Sequence, residues 1–241
     1  MPHRLMTADE TLHYLHLART DFDALVRDRE IPFEKQGDRF LFRKKEIDTW
    51  ASRRILGLTE KRLKAYHRQS SAKVAASALS ATTFMERLIE SNFIDPRFAA
   101  KTRASILRDM VALAEKTERL SSDARDLLDS LTEREALCST ALAGGIALLH
   151  PRHHEPYMFS ESFIVLARAL HPVYFGAPDG RPTDLFFLIC CQDDRLHLHV
   201  LARLCCMCQQ TALLERLRTA DSAADMREAL LSAEHETLRD A

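Results

Sequence analysis

Residues 184–191 read Asp-Leu-Phe-Phe-Leu-Ile-Cys-Cys. An extended chain sends alternate side chains to opposite faces, so a run that is apolar at nearly every position must be covered on both. That requires a sheet with material packed on each side, and the order of the surrounding segments is that of an α/β domain. Ile146–Leu149 and Phe163–Ala167 are the companion strands, and Val173–Phe175 reads as a short edge strand. A first helical segment holds Phe84, Leu88 and Ile89, and Phe93-Ile94-Asp95 is extended. Thr102–Thr117 carries Ile106, Met110, Leu113 and Ala114 at helical spacing. Ser122-Asp123 caps a further helix through Leu127, Leu128 and Leu131 to Arg134.

The chain has 241 residues, enough for one large domain or two small ones. It is 46% hydrophobic and 29% charged, as expected of a soluble globular protein. A net charge of −1 argues against polyanion binding by the chain as a whole. No stretch has the length and apolarity of a membrane span, and Met1-Pro2-His3-Arg4 leads into no apolar signal core, so membrane insertion is not expected and the cytoplasm is. Six cysteines sit in apolar runs rather than in a spaced disulfide frame. Cys205, Cys206 and Cys208 raise the alternative of zinc, but adjacent helical cysteines point apart. Buried, reduced thiols are expected, with no metal and no cofactor.

Charge is unevenly spread. Residues 1–75 carry an excess of roughly five positive charges. Thr7 followed by Glu10 forms a capping box ahead of a helix with Leu12 and Leu15 on one face. His16-Leu17-Ala18 is a turn, and a second helix starts near Arg19-Thr20, lined by Phe22, Leu25 and Val26 and ended by Ile31-Pro32. Pro32–Lys35 and Arg39–Arg43 are β segments joined by Gln36-Gly37-Asp38. A third helix begins at Lys44, with Ile47 and Trp50 inward.

This order, with Glu30-Ile31-Pro32, Gly37-Asp38-Arg39-Phe40-Leu41-Phe42-Arg43 and Ile47-Asp48-Thr49-Trp50, resembles the excisionase-like winged helix-turn-helix, a relative of the MerR-type DNA-binding fold. The resemblance implies that the second helix enters a major groove and the hairpin wing tracks phosphates. Base-contact candidates are Arg19, Thr20 and Arg27, and phosphate candidates are Arg39, Arg43 and Lys44. Asp21, Asp23 and Ala24 depart from the family's hydroxyl, aromatic and Arg residues early in that helix, and carboxylates there are repelled by phosphates. The competing reading is a solvated basic face that binds protein or nothing. The expected layout is a head over 1–55, a basic helical linker over 56–82 and an α/β domain over 83–237. The linker's helical stretch Thr59–Ser71 is a solvated connector, an extension of the nucleic-acid surface or a dimerising helix.

The approach to His150 is the chemically informative segment. A charged helix end, Thr132-Glu133-Arg134-Glu135, gives way to Gly144-Gly145, then to the four-residue strand, then to the histidine. Glu135, Leu142, Ala143, Ile146, Ala147 and Leu148 fall at the spacing that precedes the phosphorylated histidine of fructose/mannitol-type enzyme IIA domains of the phosphoenolpyruvate-dependent phosphotransferase system. His197-Leu198-His199-Val200-Leu201-Ala202-Arg203-Leu204 resembles the phrase that opens the helix after that family's buried strand. Leu213–Leu217 and Ser222–Met226 are similar to its closing helices.

The resemblance implies an α/β fold with a mixed sheet flanked by helices. It implies His150 as phosphoryl acceptor and His197 as the neighbour that holds phosphoryl oxygens. Arg134, Ser139 and Thr140 are further donors, and a histidine phosphocarrier protein is the donor partner. Leu149 and Pro151 stand where the family has Pro and Gly or Ala. Pro151 offers no N–H and biases His150 toward extended backbone. His153 and His154 are read as ordinary loop residues. The joined readings describe a regulator, with a phosphoryl carrier rather than a turnover enzyme at its C-terminal end, that binds DNA and responds to phosphotransferase flux. A homodimer is an open state. The alternatives are a working phosphocarrier in sugar transport and an enzyme IIA-like binding module that cannot be phosphorylated.

Overall fold

The structure is a computed structural model that describes residues 5–15, 17, 19–37, 39–56, 83–152 and 157–239. The expected linker from 57 to 82 and the pair His153 and His154 lie outside the described residues.

The larger unit is built on five strands: β4 (Ile94–Phe98), β5 (Ala141–Leu142), β6 (Ile146–Leu149), β7 (Phe163–Val173) and β8 (Thr183–Cys190). Their order across the sheet is β4-β7-β8-β6-β5. β4 runs parallel to β7, β6 parallel to β8, and the β7–β8 and β5–β6 pairs are antiparallel. β8 is the central strand, and Leu185 to Cys190 have no exposed surface. The double-sided burial required by its composition is met.

Helices cover the sheet: α4 (Met85–Leu88), α5 (Arg103–Glu115), α6 (Ala124–Leu137), α7 (Asp194–Gln210), α8 (Leu213–Thr219) and α9 (Ala223–Arg239), the numbering allowing for three helices in the smaller unit. Asp123 caps α6 by accepting from Arg125 N at 2.8 Å. Thr102 and Ser105 close a reciprocal capping box at the start of α5. Arg203 of α7 and Glu234 of α9 form a buried ion pair at 2.9 Å. Glu234 also accepts from Phe84 N and Met85 N, so the pair fastens the start of this unit to its last helix. Cys205 and Cys206 are buried in α7, and burial pushes the Cys205 thiol well up.

The smaller unit contains β1 (Leu5–Thr7), α1 (Ala8–Leu15), α2 (Arg19–Arg27), β2 (Glu34–Gln36), β3 (Arg39–Arg43) and α3 (Lys44–Leu56). Its antiparallel sheet has the order β1-β3-β2. Met6, Leu15, Phe22, Leu25, Ile31, Phe42, Ile47 and Ile55 are buried, with the Phe22 and Phe42 rings 5.4 Å apart.

Several expectations need correction. β1 and β5 are too short to show a periodic signal. α2 ends at Arg27 rather than at Ile31, through a turn in which Arg29 takes a φ of 55°. Val173 is not a separate edge strand: β7 runs on to it, past a register shift after Arg168. Pro172 is tolerated there because the partner on the β4 side stops at Ala169. Trp50 is only half-buried. The inward stripe of α3 is Ile47, Ala51 and Ile55, one residue in four, and Trp50 lies beside it with its indole N–H donating to Glu30 O at 2.5 Å.

Candidate functional site

β6 and β8 are parallel and end at the same rim, with Leu149 opposite Leu188. His150 follows the last residue of β6. Asp193, just beyond β8, caps α7 by accepting from Arg195 N and Leu196 N, which starts the helix at that rim. His197 therefore falls in the first turn of α7. The two imidazoles meet with ring centroids 4.8 Å apart and planes tilted by 44°.

Arg134 completes the cluster from the last turn of α6. Its Nε donates to His150 Nε2 at 2.9 Å, and its Nη1 donates to Cys138 O at 3.0 Å. One arm of this residue thus reaches the histidine while another closes the helix C-terminus. His150 Nδ1 lies 2.9 Å from Leu148 O. A carbonyl can only accept and a guanidinium can only donate. The neutral tautomer with its proton on Nδ1 and a lone pair on Nε2 satisfies both contacts.

Arg152 approaches from the segment after β6. Its Nη1 pairs with Glu133 at 3.1 Å, and its backbone N–H donates to Ser130 Oγ. Among the described residues, the buried Arg134 Nη2 and Arg152 Nε have no hydrogen-bond partner. Both arginines line the small cavity that contains His150 and His197. Unsatisfied buried cationic donors are costly, and these two border a space where an anionic oxygen would satisfy them. Sequence reasoning missed Arg152. It follows Pro151 directly, and no local periodicity separates it from a surface arginine.

Ser139 and Thr140 take other partners. Ser139 Oγ donates to Phe175 O at 2.6 Å, and Thr140 Oγ1 donates to Glu135 Oε2 at 2.7 Å. These bonds hold the turn between α6 and β5. Burial pushes the Glu135 carboxyl up, against the opposing pull of its Thr140 hydrogen bonds.

The hairpin from β5 to β6 passes through Gly144 and Gly145, at φ of 92° and 80°. A Cβ on Gly145 would stand 2.7 Å from Arg218 Nη2 and 2.9 Å from Asp184 Oδ1. The glycine is needed both for its backbone conformation and to let the Arg218–Asp184 ion pair pass.

Of the nucleic-acid candidates in the smaller unit, Arg19 is paired with Asp9, Arg27 with Asp28 and Arg43 with Glu34. Lys44 is paired with Asp48 of its own helix and with Asp194 of α7. Thr20 and Arg39 are exposed. A groove of about 990 Å³ between the units gathers Arg29, Lys45, Arg53 and Arg54 around Trp50.

A mixed five-stranded sheet flanked by helices, with a histidine pair and an arginine at one rim, defines an enzyme IIA-like α/β unit. Residues 87–233, more than half of the chain, match the family model of the phosphoenolpyruvate-dependent sugar phosphotransferase system, EIIA 2, and the chain belongs to that family. Among its relatives is a nitrogen regulatory protein of Bradyrhizobium diazoefficiens, 27% identical over 138 residues, covering 56% of this chain and 87% of the relative. Another, from Pseudomonas aeruginosa, is 33% identical over 106 residues, covering 42% and 65%. The crystal structure of nitrogen regulatory protein IIA-Ntr from Neisseria meningitidis superposes with a TM-score of 0.56 at 27% identity, covering 61% of this chain and 99% of that one. Among the described residues, no helix is long and apolar enough to cross a membrane.

Proposed function

We propose that the chain is a phosphotransferase-linked regulator, phosphorylated on His150 Nε2 by a phosphohistidine donor and binding DNA through its N-terminal unit. The observation that carries the first half is the Arg134–His150–His197 cluster. In the transfer, the donor's P–N bond breaks as a bond forms between phosphorus and His150 Nε2. Each imidazole keeps the proton on its other nitrogen. The charge that develops on the His150 ring is stabilised by the Nδ1–H bond to Leu148 O. Arg134 Nε must leave the lone pair it now occupies and turn, with Nη2, to the phosphoryl oxygens. Catalysis of this kind is positioning plus electrostatics, which is the work of guanidinium groups already in place.

The DNA-binding half draws support from the short helices α1 and α2 followed by an antiparallel hairpin, the layout of an excisionase-like winged helix-turn-helix head. The exposed Arg39 on β3 is its freest phosphate contact. The histidine phosphocarrier protein is the donor partner under this reading, the cytoplasm the place of action, and the head and IIA-like unit the two functional domains.

A second reading has a specific observation behind it. Pro151 is buried directly after His150 and brings no N–H to the rim. This favours a site that has lost phosphoryl acceptance and serves as a binding module. Intact-mass measurement after incubation with phosphoenolpyruvate, enzyme I and the phosphocarrier separates the two. A single acid-labile phosphoryl adduct, lost in His150→Ala, is expected. No adduct with active donors would leave the binding module.

A further inference from the structure

α3 of the N-terminal unit lies across the rim where the two histidines are delivered, packed on α7. Ser52 Oγ stands 3.4 Å from His197 Nε2. His150 and His197 are each only 1% exposed. The cavity between them and Thr49, Ser52, Arg134 and Arg152 is about 10 Å³. That admits about one water molecule. A phosphoryl group has three oxygens to accommodate, and its donor must bring a second imidazole into line with Nε2.

A charge cluster at the edge of the same contact holds α3 down. Lys44 Nζ pairs with Asp194 at the start of α7 and with Asp48 at 3.1 Å. Tyr14 Oη donates to Asp48 Oδ1 at 2.7 Å, and the ammonium sits 5.1 Å from the Tyr14 ring centre. One lysine thus serves two carboxylates. Burial, then the charge of Asp194, pushes the Asp48 carboxyl up. Asp48 and Asp194 line the cavity that holds His150. A phosphoryl group there would bring roughly two negative charges into a cavity that Arg134 and Arg152 line on one side and the two carboxylates line on the other, so it would repel the Asp48 edge that α3 contributes while the arginines hold the phosphoryl oxygens.

We propose that α3 occupies the phospho-acceptor face as an intramolecular stand-in for the donor: docking of the N-terminal unit and phosphoryl transfer to His150 exclude each other. The phosphorylated form releases α3, and Lys44 with it. Occlusion of the histidines follows from the packing alone, whereas the release step rests on the reading of His150 as acceptor. The two halves can therefore fail separately.

The test uses the full chain. Lys44→Glu places a third carboxylate in the cluster, and Lys44→Asp with Asp194→Lys restores attraction with the signs exchanged. Ser52→Arg wedges the contact by bulk, and Lys101→Glu, at an exposed position of the larger unit, is the control of equal charge change elsewhere. Diethyl pyrocarbonate labelling, mapped by peptide mass to His150 and His197, reads access to the imidazoles. Emission from Trp50, the single tryptophan, reads displacement of α3, because that residue lines the groove closed from the other side by Leu137 and Arg152. Labelling is expected to rise tenfold or more in Lys44→Glu and Ser52→Arg, with a shift in emission. It should return close to wild type in the exchanged pair and stay there in Lys101→Glu. Phosphoryl uptake from the phosphocarrier should follow the same order. Labelling of wild type as fast as that of both opened variants would overturn the occlusion. Raised labelling with no uptake in any variant would uphold the occlusion and overturn the release step together with the acceptor reading. Uptake at one rate in all variants, with labelling raised, would overturn the mutual exclusion.

Discussion

Arg134 Nε donates to His150 Nε2 across 2.9 Å, so the guanidinium is bonded to the ring nitrogen whose lone pair would attack phosphorus. The contact fixes the tautomer of His150 and leaves a second arginine nitrogen, Nη2, without a partner among the described residues. In the proposed transfer, one side chain would therefore both order the acceptor imidazole and supply charge for the arriving group.

If that geometry is used, Arg134→Met should slow phosphorylation of His150 by about a hundredfold, the usual scale for loss of one preorganised donor to a developing oxyanion. Quench-flow incorporation measured by intact mass provides the check, with circular dichroism to confirm that the fold is retained. Uptake within a factor of three of wild type would remove Arg134 from the mechanism.

Gly145→Ala should lower stability by about 1–3 kcal/mol, because it combines a strained positive φ with a Cβ inside contact distance of the Arg218–Asp184 pair. The urea midpoint should fall with an unchanged slope. In Arg218→Ala, where the nearest clashing atom is gone, part of the cost of Gly145→Ala should disappear.

Glu234→Ala should cost about 3–5 kcal/mol, since it strands the buried Arg203 guanidinium and removes the acceptor for Phe84 N and Met85 N. Replacing both partners, Arg203→Met with Glu234→Leu, should recover a measurable part of the loss of charge pairing. The amides would still lack their acceptor, so recovery should be incomplete. Denaturant titration of the wild type and the two variants tests the ordering.

Burial raises the Glu135 carboxyl above its ordinary value of 4.5, so the folded state binds the proton more tightly than the unfolded chain does. The sign follows from proton linkage: the stabilisation is fully present below about pH 4.5 and is lost as pH climbs through the higher folded-state value. Glu135→Gln removes this dependence. The difference in urea midpoint between wild type and variant should move in favour of the variant between pH 4.5 and pH 8. A difference that is constant with pH would show that the hydrogen bonds from Thr140 fully offset the burial.

The core of the larger unit could be read in the sequence because its signals are local. The seven apolar residues Leu185–Cys191 read as a strand covered on two sides, and Asp123 caps its helix through a bond to a residue two positions on. Both histidines were legible because each sits near an element boundary, His150 directly after β6 and His197 in the first turn of α7. The partners of the Ser139 and Thr140 hydroxyls could not be read, because sequence distance says nothing of direction, and they are Phe175 and Glu135. The partners of Lys44 were beyond reach for another reason. Its pairing with Asp194 joins residues 150 positions apart, and no periodicity encodes a contact between two separately folded surfaces. Ser52 and Arg152 were missed on the same ground.

The parallel register of β6 against β8 makes the histidine pair an all-or-none product of alignment. Neighbouring residues on a strand point to opposite faces. Had β6 been shifted by a single position against Leu185–Leu188, His150 would have turned to the far side of the sheet, and His197 could not have followed, because its helix is anchored separately at Asp193. The spatial tolerance of the pair is thereby quantised in whole residues. An insertion or deletion between Gly145 and His150 should erase the pair in one step, whereas lengthening the loop beyond Arg152 should leave it intact.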